Sequence, residues 1–113
     1  MGSVMFVDET TAGGRSGGWG MEIAEERLAL RELIRRRIFQ EVAEEAAGRL
    51  VRPAKEGGRV DPQAQTEAAY AAFGRNGFLV LVGDRQITDL DEVIDLPLGT
   101  EVTFLKLVAL VGG

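Results

Sequence analysis

The run Leu110-Val111-Gly112-Gly113 holds the residues of this chain best suited to chemistry. Two consecutive glycines carry no side chains, so a carboxylate on Gly113 can enter a narrow, crowded channel and present its carbonyl carbon for attack. A carboxylate is a poor acyl donor, because its leaving group would be oxide. The expected chemistry is therefore activation by a second catalyst, followed by attack of a nucleophile on the activated carbonyl. A frayed end of small residues is the competing explanation.

Few other residues offer chemistry. The chain has no Cys and no His, which removes thiol nucleophiles, disulfides, thiolate or imidazole metal sites and the usual neutral-pH acid-base group. The chain is not expected to be an enzyme or to hold a cofactor or metal of its own. Glu25-Glu26, Glu44-Glu45 and the group Asp89, Asp91, Glu92 lack glycine-punctuated calcium spacing or a catalytic partner, so they are read as solvated faces and turns. Arg35-Arg36-Arg37 occupies successive helical positions and splays over about 200° among many carboxylates, which predicts a solvated helix surface. A net charge of -5 argues against nucleic acid or anionic lipid as the main partner. No apolar run approaches the roughly 18 residues of a membrane span, and no cationic segment precedes an apolar one at the start, so a cytoplasmic protein with no membrane partner is expected.

At 113 residues and 45% hydrophobic content, one core and one domain over 1–113 are expected. Met1-Gly2-Ser3 is similar to an engineered leader, with Met5 the expected natural start. Ser3 to Thr10 suits a first strand, Thr11 to Gly18 a glycine-rich turn, and Trp19, Met21 and Ile23 at period two a second strand pairing back as a hairpin. From about Arg27 the period changes. Leu30, Ile34, Ile38, Val42 and Ala46, widened by Leu33, Phe39, Ala43, Ala47 and Leu50, predict a long amphipathic helix ending near Gly48, with Glu41 among its surface residues.

Residues 49–75 read as an insertion. It comprises a linker to Asp61 and a short, alanine-rich second helix, capped by Asp61-Pro62 and ending near Gly74, that docks loosely. Phe78 to Val82 suits an interior strand, Gln86-Ile87 a short edge strand, and Leu90 to Leu96 a loop packed under the core. Val102 to Val108 is the last strand, leading into a tail over about 109–113. Alternation from Val102 and Phe104 aims Lys106 at the core, which requires either a bulge or a snorkelling ammonium.

The order β-β-α-(α)-β-β-β, ending in Gly-Gly, resembles the ubiquitin-like β-grasp superfamily: an α+β fold in which a mixed sheet wraps one long helix, here with an inserted loop and short second helix. Leu28 to Ile34 resembles the family's helix entry, Phe78 to Ile87 its apolar strand, glycine turn and short following strand, and Thr100 to Gly113 its terminal strand and tail. The tail has Ala109 and Val111 where ubiquitin carries arginines. The resemblance therefore implies a dedicated activating enzyme whose channel takes Ala109, Leu110 and Val111. Two Lys against eleven Arg suits a high-GC bacterium.

What the resemblance implies is a bacterial protein modifier conjugated through Gly112 and Gly113 to a protein target by a thioester relay. Its partners would be an adenylating activating enzyme, a conjugating enzyme and a deconjugating peptidase. A sulfur carrier with a Gly113 thiocarboxylate and a non-covalent binding module stand as alternatives. The family is recognised through an exposed apolar patch, placed here at Val80 and Leu107 with Leu79 and Leu105 as neighbours, although Val and Leu in central strands are also ordinary core residues. Lys55 and Lys106 could accept a further copy, Lys55 more readily.

Overall fold

In the computed structural model, residues 2–44, 50–51 and 60–107 are described. The elements in chain order are β1 (Gly2–Thr10), β2 (Arg15–Ile23), β3 (Arg27–Ala29), α1 (Leu30–Glu44), α2 (Pro62–Gly74), β4 (Phe78–Val82), β5 (Arg85–Ile87), β6 (Val93–Asp95) and β7 (Thr100–Lys106). Five strands make one mixed sheet in the order β2-β1-β7-β4-β5, and β3 pairs with β6 in a separate two-stranded sheet. β1 and β7 lie side by side and parallel, and the remaining pairs are antiparallel.

The first reversal is tighter than the glycine content suggests, because Arg15 already pairs with Glu9. The turn closes through Thr10 N to Gly14 O at 2.8 Å and Gly13 N to Thr10 O at 3.0 Å, with Gly13 at φ +94°. The glycines beyond it serve β2. The β1–β2 register shifts between Phe6 and Asp8, and a Cβ on Gly18 would lie 2.7 Å from Met5 Sδ and 3.1 Å from the Phe6 carbonyl oxygen. A side chain there would have to push the Met5 side chain aside and crowd the Phe6 carbonyl.

The main helix begins later than its periodicity implies. Arg27–Ala29 is a strand paired with Val93–Asp95, and the segment expected as a plain loop thus contributes β6. The Leu30 and Arg31 amides, unpaired inside the first turn of α1, donate to Glu92 O (3.0 Å) and Leu90 O (2.9 Å). Backbone from a distant segment therefore caps the helix and sets its start. Ala43, expected on the apolar stripe, is exposed, and the expected continuation through Ala46 and Ala47 lies outside the described residues.

The second helix is integral to the core rather than loosely docked. Asp61 caps it through Oδ1 to Gln63 N at 3.1 Å, with Pro62 in the first turn. Asn76, at φ +61°, ends it, with Gly77 N donating to Ala72 O at 2.7 Å and Asn76 N to Phe73 O at 3.1 Å. Ala69 and Ala72 join the core with Leu30, Leu33, Ile34 and Ile38 of α1 and with Val4, Phe6, Phe78, Val80, Ile87, Val102 and Phe104 of the sheet. A chain of rings, Trp19–Phe6–Phe104–Phe78–Phe73, runs from β2 across the sheet to α2 with centroids 5.1 to 6.1 Å apart.

Candidate functional site at the root of the terminal segment

Ala109, Leu110, Val111, Gly112 and Gly113 lie outside the described residues, as does Lys55. What is described is the platform that precedes them in the chain. β7 lies between β1 and β4, with Lys106 opposite Thr10 on one side and Phe78 on the other. Backbone bonds close both sides: Thr11 N donates to Lys106 O (3.1 Å) and Leu107 N to Gly77 O (3.4 Å).

The two faces of this platform differ. Val80 and Phe104 are fully buried and pair with each other, so alternation turns their neighbours Leu79 and Leu105 to the other face. Val80 is therefore corrected from patch to core. Leu107 remains 41% exposed. Leu79 opposite Leu105, and Leu81 opposite Thr103, are half-buried on the outer face, where Met5, opposite Glu101, is 41% exposed. The outer face thus carries the apolar strip, shifted by one residue from the sequence placement in β4. Lys106 follows unbroken pairing from Val102 onward on both sides. No bulge in β7 redirects it, and it stands half-buried at the strand end.

Directly beneath the platform lies a cluster that the sequence reading placed at the surface. Arg37 is 0% exposed and Glu41 2%. The guanidinium makes a two-pronged pair with Asp8 of β1, Nη1–Oδ1 at 2.6 Å and Nη2–Oδ2 at 2.8 Å, and Nε donates to Glu41 Oε2 at 2.7 Å. It stacks over Phe104 at 4.5 Å and near Trp19 at 5.8 Å, so desolvation is offset by two carboxylates and two ring faces. These carboxylates hold the Arg37 proton against burial, and burial pushes the Glu41 carboxyl upward despite Arg37. The readable signal was the spacing 30, 34, 37, 41, which places Arg37 and Glu41 on the same stripe as Leu30 and Ile34. Residue type had assigned them outward.

The rest of the arginine run behaves as expected. Arg35 pairs with Glu32 and stacks over Phe39 at 4.5 Å. Arg36 holds Glu25 with both Nη atoms, at 2.8 and 2.7 Å, lowering its carboxyl to about 2 from an ordinary 4.5. Asp91 pairs with Arg31 and Glu92 with Arg85. Among the described residues no group of three or more acidic, His or Cys side chains could hold a metal ion. A groove of about 530 Å³ between Ala24–Arg27 and Asp95–Leu98 opens at the opposite end of β7.

No family model, curated protein or solved structure matches this chain. Among the described residues no helix is long and apolar enough to cross a membrane.

Proposed function

We propose that this chain is a ubiquitin-like modifier of the β-grasp superfamily, acting in the bacterial cytoplasm with Gly113 as the terminal residue of its working form. The observation that carries the reading is the strand order β2-β1-β7-β4-β5, with the final strand parallel to the first at the sheet centre and followed by Gly112-Gly113. A mixed sheet with α1 following the hairpin is compatible with the β-grasp arrangement of a sheet wrapped on one long helix. Rooted between two neighbours at Lys106, seven further residues can span at most about 25 Å, enough to enter a partner's active site while the domain stays outside.

In the chemistry that follows, a Gly113 carboxylate oxygen attacks the α-phosphorus of ATP in the activating enzyme and pyrophosphate leaves. A cysteine thiol then attacks the acyl carbon and AMP leaves. The acyl group passes through the conjugating enzyme to a nucleophile on the target, and a peptidase reverses the bond. The partner supplies ATP and Mg²⁺. The strip Leu79, Leu81, Leu105 and Leu107 beside the root serves as the face those enzymes read, and the channel takes Ala109, Leu110 and Val111. The well-packed α2 adds surface that a compact sulfur carrier does not need.

The test is intact-mass analysis after co-expression with the neighbouring genes. A new higher-mass conjugate is expected, absent in Gly113→Ala while thermal unfolding of that variant is unchanged. Discharge of the Ala variant as fast as the parent rejects the mechanism, and a gain equal to one oxygen exchanged for sulfur assigns the chain to sulfur transfer instead.

A further inference from the structure

The parallel pairing of β1 with β7 has a competitor two residues away that keeps the alternation of faces. In the observed register Val4 faces Thr100, Phe6 faces Val102 and Asp8 faces Phe104. Moving β7 back by two residues keeps every side chain on its own face. Val102 would then face Val4, Phe104 would face Phe6, and Lys106 would face Asp8: apolar against apolar and cation against carboxylate. On the β4 side Leu79 would exchange Leu105 for Leu107, again leucine for leucine, while Val80 would exchange Phe104 for Lys106. The shift would move the end of β7 by about 7 Å along the sheet.

We infer that Arg37 is the positioning residue that selects the observed register and with it where β7 ends along the sheet. Its guanidinium binds both oxygens of Asp8 and lies 4.5 Å over the ring of Phe104, the residue opposite Asp8. A two-residue shift would withdraw that ring and set the Lys106 ammonium against a guanidinium that is 0% exposed, where like charges repel with little screening. Glu41 fixes the guanidinium from behind through Nε, so it cannot swing aside. The Thr100 bonds to Pro97 O, at 3.1 Å from N and 2.6 Å from Oγ1, oppose the same shift from the far end. The hydroxyl bond is exposed and competes with water. The functional consequence, a fixed root for the segment that ends in Gly113, rests on the modifier reading; the register selection does not.

The chain has no cysteine, so engineered pairs report register cleanly. Leu79 and Leu105 are directly opposite, within the Cα separation a disulfide spans, whereas a residue two places further along the neighbouring strand stands about 8 Å away, beyond it. Leu79→Cys/Leu105→Cys and Leu79→Cys/Leu107→Cys are each made with Arg37 and with Arg37→Met, and initial rates of closure in oxidised glutathione are measured. With Arg37, only 79–105 should close. With Arg37→Met, 79–107 should close as well. Closure of 79–105 alone in Arg37→Met overturns the inference. Should circular dichroism show Arg37→Met to be unfolded, Arg37→Gln, which removes the charge but keeps a polar side chain beside Asp8 and Glu41, carries the same test: closure at 79–107 supports the lock and its absence overturns it. The crosslink reads register whether or not Gly113 is ever acylated, so either proposal can fail alone.

Discussion

Glu41, near the end of α1, accepts the backbone amide of Leu50 with both carboxylate oxygens, at 3.3 and 3.1 Å. The same carboxylate binds Arg37, and the next residue, Val51, accepts Gln65 Nε2 of α2 at 3.0 Å. Residues 50 and 51 are thereby held from both helices by groups buried away from water.

Glu41→Ala should therefore cost about 2–3 kcal/mol, because it removes the acceptor of the buried Arg37 Nε–H and of the Leu50 amide while Asp8 still balances the guanidinium charge. Glu41→Gln should cost less, since its carbonyl still accepts the Leu50 amide. Urea denaturation of both variants checks the ranking, and a loss for Glu41→Ala below about 1 kcal/mol would mean that water replaces the carboxylate.

The acid limb of stability should carry the signature of Glu25. Its carboxyl, held at about 2 by Arg36 against an ordinary 4.5, binds fewer protons folded than unfolded. Its contribution is complete above about 4.5 and is lost as pH falls toward about 2. Glu41 has the opposite sign: its raised carboxyl is a penalty at neutral pH that lifts on acidification. Thermal unfolding of Glu25→Gln from neutral pH down to about 2 should show a flatter decline than the parent. Because the pair is at the surface, added salt should narrow the difference.

Val80 and Leu105 should separate stability from recognition. Val80→Ala removes methyls from a site with 0% exposure and should cost about 2 kcal/mol. Leu105→Ala, on the half-buried outer face, should cost under about 1 kcal/mol while slowing discharge by the activating enzyme. Equal behaviour of the two variants in both assays would remove the outer strip from the recognition surface.

Asn76 is the non-glycine residue at positive φ among the described residues, and it ends α2 where Gly77 N reaches Ala72 O. Asn76→Ala should destabilise by about 1 kcal/mol, the cost of a Cβ in left-handed backbone without the local bonding of asparagine, and Asn76→Gly should not. Chemical denaturation of the two variants, compared with the parent, decides it.

Much of the architecture is local in origin and therefore legible. Period two in Trp19, Met21 and Ile23, period near four in Leu30, Ile34 and Ile38, the apolar run Phe78 to Val82 and the Asp61-Pro62 start of α2 each write their element into neighbouring residues. The diglycine after the last strand is likewise a property of the chain alone. Other features arise only when distant segments meet. Arg27–Ala29 became a strand because Val93–Asp95 lies beside it, and α1 began at Leu30 because Glu92 and Leu90 supply carbonyls to its open amides. Val80 rather than Leu79 faces inward because of how β4 pairs with β7. Arg37 and Glu41 are buried because Asp8, 29 residues from Arg37, and the rings of Trp19 and Phe104 converge on them. A charge can leave water only where opposite charge and ring faces surround it, and those surroundings are made by the fold.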